Sequence, residues 1–399
     1  MRVQFPDVPH LLRRRRRLED GDWIYLLRRK HVRPGNLVQP LRAGQEVFPA
    51  MLTAIAAARS HVHLETYILR ADRTGNDFKG ALLERARAGV RVRLLYDSLG
   101  CLGLPAAFLD ELREAGVLAV EYHPLVPWRA RWSLNRRDHQ KILIVDDKVA
   151  FTGGTNIGDE YQSEEEGGGG WFDMHARVEG PIVLDLARIF QTTWERSGGE
   201  PVAPVQARWR GTPTPLHTAN VQAISNARLG GRWRMQRAYL HAIRRASSTI
   251  SLMNAYFIPD RRLRRAFARA AERGVSVRVI LPVAFDVRAV YYASHHLYEN
   301  LLRRGVRIFE WPDRMMHAKS GVIDGVWSTI GSYNLDRRSL VHNLEIGLVI
   351  LDRRIGSELQ EDFEKDLAKC REITLEEWRK RSAWEKALEW MFYQFRYWL

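Results

Sequence analysis

Apolar runs and helical patterns follow one another in a set order through the first half of the chain. Residues 62–69 (VHLETYIL) have the pattern of a buried strand, and a helical pattern runs through residues 82–86. Gly89 then precedes a second apolar run at residues 90–97. This order predicts a βαβ unit, whose crossover favours parallel strands with helices on the faces of the sheet.

The same order recurs in the second half. Residues 250–258 (ISLMNAYFI) have the pattern of a strand, residues 263–271 that of a helix, and Gly274 precedes an apolar run at residues 275–282. Such self-similarity indicates an internal duplication. The predicted fold class is therefore α/β, with two pseudo-symmetric domains, each a mixed, largely parallel β-sheet flanked by helices.

Changes of composition indicate where these domains begin and end. Residues 201–215 contain four prolines and little periodicity, which is typical of a linker. We expect a basic N-terminal segment over residues 1–40, domains over residues 41–200 and 216–370, and an aromatic, basic C-terminal helix over residues 371–399.

One segment of the first domain has the composition of a mobile loop. Three glutamates at residues 164–166 are followed by four glycines at residues 167–170. A solvated insertion and a lid near an active site both fit this composition.

A polar motif ends each repeat. In the first half, His139 is followed by Lys141, Asp146 and Asn156, at separations of two, seven and seventeen residues. A second copy of the motif, in the other half of the chain, has the same separations. Two copies at the same place in a repeated strand–helix–strand order are not a coincidence.

The second copy consists of His317, Lys319, Asp324 and Asn334. Both segments have the pattern of strands, and alternation along a strand places each histidine and its lysine on one face. An imidazole beside an ammonium group suits a phosphodiester, which combines an electrophilic phosphorus with anionic oxygens.

A hairpin turn after each motif sets what faces the histidines. A turn near residues 147–148 places Asn156 opposite His139, and a turn at residues 325–326 places Asn334 opposite His317. The pairs Gly153-Gly154 and Gly331-Ser332 leave room beside each histidine for a ligand or a close backbone approach. Ser332 therefore joins the candidate substrate-supporting residues.

The motif aspartates are candidates of a different kind. Asp146 lies five residues beyond Lys141, about 16 Å along a strand, so the two side chains cannot easily contact one phosphate. Asp146 and Asp324 belong to the motif that defines the catalytic set. We interpret both as structural residues that anchor the hairpin or pair with a neighbouring cation.

Each histidine needs an acceptor that orients its second ring nitrogen. Asp173 begins a strand after the first motif, and Glu345 begins one at the corresponding point after the second. We expect Asp173 to contact His139 and Glu345 to contact His317.

Two histidines in one site predict a two-step phosphoryl transfer. We assign His139 as the nucleophile that forms a phosphohistidine and His317 as the acid and then the base. The motif lysines and asparagines would stabilise charge on the phosphoryl oxygens. No carboxylate cluster suits a metal ion, so we expect neither metal nor cofactor.

Charge and composition restrict the partners. The 399 residues include 62 Lys and Arg against 47 Asp and Glu, a net charge of +15, which favours nucleic acid or anionic lipid as a partner. The two cysteines, Cys101 and Cys370, cannot form a disulfide framework and suit a reducing compartment. We expect neither a signal peptide nor a transmembrane helix.

Both ends of the chain combine aromatic and basic residues. Five arginines at residues 13–17 precede the run WIYLLRRK at residues 23–30, and aromatic and basic residues alternate over residues 378–399. The C-terminal segment suits a membrane interface, although a helix packed on the body of the protein fits as well. We expect a peripheral protein on the cytoplasmic side of the inner membrane.

The duplicated motif resembles that of the phospholipase D superfamily, over about residues 47–352. Within it, residues 65–68 (ETYI), 254–259 (NAYFIP) and 327–339 (WSTIGSYNLDRRS) are similar to the short bacterial cardiolipin synthases. The resemblance implies two domains with the active site between them. It also implies transfer of a phosphatidyl group from phosphatidylglycerol to a second lipid alcohol, with release of glycerol.

Other functions within this superfamily remain open. A phospholipase D hydrolase and a phosphodiesterase that cleaves nucleic acid are the alternatives, although no nucleic-acid-binding module is evident and none is expected as a partner. Phosphatidylethanolamine remains an alternative acceptor lipid. The sequence leaves the oligomeric state open.

Overall fold

The computed structural model describes most of the chain beyond residue 30. Its described residues are 31–129, 131–206, 208–209, 218–227, 231, 233–312 and 314–399. The basic run at residues 13–17, the aromatic run at 23–30 and residues 210–215 of the predicted linker lie outside them.

The first half contains the predicted strand–helix–strand unit and a hairpin. Its strands are β1 (Arg33–Arg42), β2 (His61–Thr66), β3 (Arg91–Asp97), β4 (Leu118–Tyr122), β5 (Ile142–Val145), β6 (Val149–Gly153) and β7 (Met174–Glu179). Its helices are α1 (Ala43–Ala56), α2 (Arg73–Arg87), α3 (Ala106–Glu114) and α4 (Ile182–Arg196).

The second half repeats this order. Its strands are β8 (Ala219–Ser225), β9 (Thr249–Asn254), β10 (Ser276–Pro282), β11 (Arg307–Trp311), β12 (Lys319–Ile323), β13 (Trp327–Gly331), β14 (Ile346–Leu351) and β15 (Arg371–Ile373). Its helices are α5 (Arg234–Arg245), α6 (Arg261–Glu272), α7 (Arg288–Leu302), α8 (Arg337–Val341), α9 (Arg353–Leu367), α10 (Leu375–Arg379) and α11 (Ala383–Gln394).

Local signals in the sequence begin and end the crossover helices. Asp72 accepts the backbone N–H of Gly75 at the start of α2, and Asp260 accepts those of two residues at the start of α6. Gly89 and Gly274 follow the last residues of these helices with φ of 82° and 84°, a conformation that glycine adopts without strain. The duplication therefore extends to the helix caps.

The fifteen strands of the described residues form one continuous sheet. Its order is β15-β11-β10-β9-β12-β13-β14-β8-β1-β7-β6-β5-β2-β3-β4. The two halves are joined in the middle, where β1 pairs antiparallel with both β7 and β8. β1 begins at residue 33, so the N-terminal segment predicted over residues 1–40 overlaps a strand at the centre of the sheet.

The sheet is mixed, as predicted, but its parallel pairing is less extensive than expected. The parallel neighbours in the described sheet are β2, β3 and β4 in one half and β9, β10 and β11 in the other. The hairpin strands and β7 and β14 pair antiparallel. Parallel pairing is confined to the βαβ units, because parallel neighbours need a crossover connection such as a helix. A short turn, as in the hairpins β5–β6 and β12–β13, joins antiparallel strands.

Both halves contribute to one buried cluster on the face covered by α4 and α9. Phe190 and Ile142 of the first half lie in this cluster with Ile350 and Phe363 of the second. Each half also has its own cluster on the opposite face. The shared cluster holds the halves in one relative position.

The C-terminal segment is not the single helix predicted over residues 371–399. Residues 371–373 form β15, which pairs with β11, and helices α10 and α11 follow. Thr374 and Ser382 accept backbone N–H groups at the starts of α10 and α11. These caps divide the segment into two helices. Within the described residues, no helix is long and apolar enough to span a membrane.

Candidate active site

The two motif histidines meet where the two halves contact each other. His139 lies just before β5 and His317 just before β12, and these strands run antiparallel to β2 and β9. His139 therefore lies where β2 ends, and His317 lies where β9 ends. Their ring centroids are 6.5 Å apart, with the ring planes at 77°.

His139 is buried and held by a carboxylate from the second half. Its Nδ1 lies 3.0 Å from Oε2 of Glu345. The ring of Tyr67 contacts it edge-on, at 5.0 Å between centroids. With Nδ1 in this hydrogen bond, Nε2 is the nitrogen that remains for chemistry.

His317 is held in the same way by the first half. Its Nδ1 lies 2.7 Å from Oδ2 of Asp173 and 3.2 Å from the hydroxyl of Tyr161. The rings of Trp171 and Tyr256 lie 6.0 and 6.2 Å from the His317 ring. This histidine is enclosed by aromatic side chains as well as by its carboxylate.

The pairing of histidines with carboxylates is the reverse of the one expected from the sequence. Asp173 contacts His317 and not His139, and Glu345 contacts His139 and not His317. Backbone hydrogen bonds between the halves impose this crossing. His139 N–H donates to the carbonyl of Leu344, at 2.9 Å, and His317 N–H donates to that of Phe172, at 2.7 Å.

Residues at matched positions of the two hairpins accommodate the carboxylates differently. A Cβ atom on Gly154 would lie 2.2 Å from Oδ1 of Asp173, so only glycine leaves room for that carboxylate. At the equivalent position, Ser332 donates to Oε2 of Glu345 at 2.5 Å. Ser332 therefore orients Glu345, whereas the sequence had suggested a role near the substrate.

The motif lysines are buried beside their histidines. Nζ of Lys141 donates to the carbonyl of His139 at 2.9 Å, and Lys319 donates to the carbonyl of His317. Burial lowers the pKa of Lys141 to about 7 and that of Lys319 to about 8. An anionic group in the site would favour the charged form of both lysines.

The two histidines differ in how strongly they resist protonation. Burial, followed by the charges of Lys141 and Lys319, lowers the pKa of His139 well below its usual range. Burial and Lys319 also lower the pKa of His317, but its hydrogen bond to Asp173 opposes the shift. Burial raises the pKa of Glu345, the partner of His139, to about 7.

The motif asparagines do not lie opposite their own histidines as predicted. Each turn begins one residue earlier than expected, so residues 146–148 and 324–326 connect the paired strands, with positive φ at Asp146, Asp147, Asp324 and Gly325. The register shifts accordingly, and Ile142 pairs with Thr152.

The contacts of the asparagines link them to neighbouring loops. Asn156 accepts the N–H of Ile68 at 3.2 Å and donates to the Tyr161 hydroxyl at 2.8 Å. It therefore reaches His317, of the other half, through Tyr161. Asn334 accepts the N–H of Tyr256 at 3.4 Å.

The motif aspartates lie at the other ends of the hairpin strands, away from the histidines. Asp146 accepts the backbone N–H groups of residues 59–61, at 2.8 to 2.9 Å. Asp324 accepts those of residues 247–249 at the same distances. Both side chains therefore hold the chain that enters β2 and β9, in agreement with a structural interpretation.

Several residues of the site were not singled out from the sequence. Tyr67 lies one residue after the end of β2 and Tyr256 two residues after the end of β9, so alignment of the two repeats does not match one tyrosine with the other. Tyr161 lies in a short 3₁₀ turn with no counterpart in the motif. Only the folded structure brings Tyr161 to His317.

A polar network below His139 was also missed. Gln140 donates to Glu65 at 3.1 Å and accepts from the hydroxyl of Ser225, of the second half, at 2.9 Å. Burial, and then the charge of Asp138, raise the pKa of Glu65 well above its usual range. The network joins the two halves next to His139.

The acidic, glycine-rich loop lies next to the site. Glu164 forms an ion pair with Arg314 of the second half. Trp171, at the end of this loop, contacts the rings of Tyr161 and His317. Among the described residues, no group of three or more His, Cys, Asp or Glu is placed to hold a metal ion.

Comparison with known protein families identifies similar domains. Residues 51–178 and 239–367 match the family described as "Cardiolipin synthase, PLD-like domain". Cardiolipin synthase 2 of Bacillus anthracis is 33% identical over 350 residues, which cover 88% of this chain and 68% of that protein. A cardiolipin synthase of Geobacillus kaustophilus is 34% identical, with coverage of 86% and 68%.

Solved structures share the fold at low sequence identity. The phosphatidylserine synthase of Haemophilus influenzae Rd KW20 superposes with a TM-score of 0.68 at 12% identity, over 90% of this chain and 93% of that one. A polyphosphate kinase of Porphyromonas gingivalis gives a TM-score of 0.55 at 14% identity, over 83% and 50%. At these identities the likeness concerns the fold alone.

Proposed function

The chain belongs to the cardiolipin synthase, PLD-like domain family, and from that premise we propose the reaction that it catalyses. It is a phosphatidyltransferase of the phospholipase D superfamily. We propose that it transfers a phosphatidyl group from phosphatidylglycerol to the hydroxyl of a second phospholipid, through a phosphohistidine intermediate. The observation that supports this most directly is the facing pair of histidines, each oriented by a carboxylate of the other half.

In the first step, Nε2 of His139 attacks the phosphorus of phosphatidylglycerol. An N–P bond forms and the bond between phosphorus and the glycerol oxygen breaks. His317 donates its Nε2 proton to that oxygen, and glycerol leaves. Asp173, at 2.7 Å from Nδ1, stabilises the His317 imidazolium before this transfer.

In the second step, His317 accepts the proton of the incoming phospholipid hydroxyl. The hydroxyl oxygen attacks phosphorus, the N–P bond breaks and the product phosphodiester forms. Lys141 and Lys319 stabilise the charge on the phosphoryl oxygens in both steps. The two histidines return to their initial protonation states, so the cycle is balanced.

The electrostatics of the site favour His139 as the nucleophile. A nucleophilic imidazole must be neutral, and the pKa of His139 is lowered well below its usual range. An acid must carry a proton, and the hydrogen bond to Asp173 raises the pKa of His317 against the effect of burial. The difference in environment matches the difference in role.

Lipid products provide the test of this function. Purified protein is incubated with phosphatidylglycerol vesicles, with and without phosphatidylethanolamine, in the presence of a chelator, and the lipids are analysed by mass spectrometry. We expect cardiolipin from the wild type and none from His139→Ala or His317→Ala. Phosphatidic acid as the sole product would indicate a hydrolase, and absence of lipid turnover would favour a nuclease.

A covalent trap distinguishes the two histidines. A phosphatidyl ester with a nitrophenolate leaving group needs no acid, so His317→Ala should still form the intermediate and accumulate it. Peptide mapping by mass spectrometry should then find the phosphatidyl group on His139. Recovery of the group on His317 in a His139→Ala protein, and none in His317→Ala, would reverse the assignment.

We also propose that α11 binds the membrane surface. One face of α11 packs on α7, where Phe392 stacks on Tyr292 at 5.3 Å and Tyr393 lies over His296 at 4.5 Å between ring centroids. The outward face and the residues after it expose large apolar side chains: Trp384, Trp390, Met391, Phe395 and Trp398. Aromatic side chains of this kind suit the interface of a bilayer.

The end of α11 lies at the same edge of the molecule as the histidines. α7 follows β10, whose last residue lies at that edge, and Phe392 contacts the first part of α7. Trp398 stacks on His342, at 6.2 Å, only three residues before Glu345. A bilayer that contacts this end of the helix would therefore face the active site.

The side of the membrane is a further part of this proposal. Cys101 and Cys370 are unbridged thiols, which suit a reducing compartment. The net charge of +15 suits the anionic cytoplasmic leaflet. We therefore propose peripheral association with the cytoplasmic face of the inner membrane.

A further inference from the structure

A basic cavity of about 550 Å³ lies beside the proposed active site. The loop after β4, the C-terminal end of α4 and the segment after α8 form its walls. Its lining includes Arg131, Arg136, Arg196, Trp233 and Asn343. The mechanism proposed above uses none of these side chains.

The cavity shares a wall with the support of His139. Leu344 lines the cavity, and its carbonyl accepts the N–H of His139 at 2.9 Å. Asn343 also lines it and contacts Oε1 of Glu345 at 3.4 Å. A molecule in the cavity therefore lies next to the backbone that positions the nucleophile.

The charge of the lining is of one sign. Three arginines, Arg131, Arg136 and Arg196, line the cavity, and none of the lining residues that the structure describes is an aspartate or glutamate. Among the described residues, none of these three arginines forms an ion pair with a carboxylate. By contrast Arg129, in the same loop but outside the lining, pairs with Glu121 at 3.2 Å. A concave surface with this charge attracts an anion with geometry suited to guanidinium groups.

We propose that this cavity binds the phosphate of the acceptor phospholipid. The inference rests on the proposed function and specifies its acceptor as a lipid whose headgroup carries a phosphate close to the attacking hydroxyl. In phosphatidylglycerol a three-carbon glycerol joins the two. Binding of that phosphate beside His139 would therefore present the hydroxyl to the phosphohistidine.

The position of the cavity favours the acceptor over the donor. The donor phosphoryl group must lie between the two histidines, where Lys141 and Lys319 provide its countercharge. The arginines line the cavity together with Asn343 and Leu344, and neither motif lysine is among its described lining residues. A reaction between two phospholipids requires a second site that binds a phosphate, next to the site that binds the donor phosphoryl group.

Such a site has a consequence for selectivity. Water and short alcohols lack a phosphate, so the arginines would increase the local concentration of phospholipid hydroxyls and not of these competitors. Removal of the arginines should therefore reduce transfer to phospholipid and spare transfer to a simple alcohol.

The experiment compares two acceptors in one reaction. Acyl-labelled phosphatidylglycerol is presented in mixed micelles with ethanol, and the products are cardiolipin and phosphatidylethanol. The variant is Arg136→Ala with Arg196→Ala. The matched control is Arg129→Ala, which removes an arginine from the same loop outside the cavity. The ratio of the two products does not depend on the fraction of folded enzyme.

We expect the double variant to lower the ratio of cardiolipin to phosphatidylethanol about tenfold, the loss typical of a charge-assisted hydrogen bond. Arg129→Ala should leave it unchanged, and replacement of both arginines by lysine should restore part of it. An unchanged ratio, or an equal fall with Arg129→Ala, would overturn the inference. A wild type that forms phosphatidylethanol but no cardiolipin would instead contradict the proposed function.

Discussion

Burial of charged groups dominates the proposed site at the scale of single residues. Lys141 and Lys319 are buried beside the two histidines, and burial lowers their pKa values to about 7 and about 8. The lysines therefore titrate close to neutral pH. Their charge, which the phosphoryl oxygens require, depends on pH.

We expect kcat/KM for phosphatidylglycerol to fall as pH rises through about 7 to 8. The charged lysine is the form below its pKa, so the free enzyme loses countercharge above it. Lys141→Arg keeps the charge and should move the alkaline limb to higher pH. A rate profile measured on vesicles from pH 6 to 9 provides the check.

The control for this profile is Lys148→Arg, an exposed lysine in the turn of the same hairpin. It should leave the alkaline limb in place. A kcat/KM that stays constant to pH 9 in the wild type would show that neither buried lysine titrates in the free enzyme.

At the scale of elements, each motif hairpin has two functional ends. One end carries the histidine and lysine, and the other carries an aspartate that holds the chain entering the neighbouring strand. The motif therefore joins chemistry and architecture in one element. The separation of the histidine from the aspartate, which is the same in both copies, reflects the length of the first strand of each hairpin.

Asp146→Asn should affect stability more than turnover. Its carboxylate accepts three backbone N–H groups, and loss of its charge should lower the free energy of unfolding by about 1–3 kcal/mol. Burial alone would raise the pKa of Asp146, but these N–H groups lower it. Its stabilisation is therefore present above the unfolded-state pKa and lost as pH falls through the folded-state pKa.

Denaturant unfolding and turnover per folded molecule provide the measurements. Asp147→Asn is the control, because Asp147 lies in the same turn and its side chain contacts that of His61, at 3.3 Å, with no backbone N–H bound to it among the described residues. Full stability of Asp146→Asn with loss of turnover would indicate a role in catalysis.

The proposed binding of α11 to the membrane surface gives a second prediction at this scale. Replacement of Trp384, Trp390 and Phe395 by serine removes large exposed apolar side chains from α11 and from the residue that follows it, and leaves Phe392 and Tyr393 in contact with α7. We expect at least about a tenfold loss of binding to phosphatidylglycerol vesicles, since each buried aromatic side chain contributes roughly 1.5–3 kcal/mol. Vesicle sedimentation measures it.

The matched control is Ala387→Ser, on the same exposed face of α11. It should bind vesicles as the wild type does. Unchanged binding by the folded triple variant would refute the membrane role of the helix.

At the scale of the whole molecule, the halves form one catalytic unit. Within the described residues, β1 joins their sheets through its pairing with β8, and side chains of both halves share a core. Each histidine also depends on a carboxylate from the opposite half. Neither half contains a complete site.

Cleavage of the predicted linker should therefore leave an active protein. A protease site is inserted between residues 210 and 215, and the cut protein is analysed by size-exclusion chromatography and by lipid turnover. We expect the two fragments to elute together with activity close to that of the uncut protein. Separated after denaturation, each should be inactive alone. Dissociation under native conditions would show that the shared interface is too weak to hold the halves together.

Much of the fold could be predicted because its signals are local. The βαβ units follow from apolar runs such as residues 90–97 and from the glycines that end the helices. The register of the hairpins was wrong by one residue, although Asp324-Gly325 is itself a typical type I′ turn sequence. The continuous sheet was missed because neither β1 nor its counterpart β8 was identified from the sequence pattern, and the pairing of these two strands joins the halves.

The sequence by itself determined the duplicated motif, the separation of histidine from lysine and aspartate, and the two ends of each hairpin. Alternation and turn chemistry act between neighbouring residues, so these features can be predicted from a pattern. Only the tertiary structure decided that Glu345 meets His139 and Asp173 meets His317, across 206 and 144 residues of sequence. The physical reason is that backbone hydrogen bonds and a shared core between the halves set those contacts, and no local periodicity specifies how two halves pack.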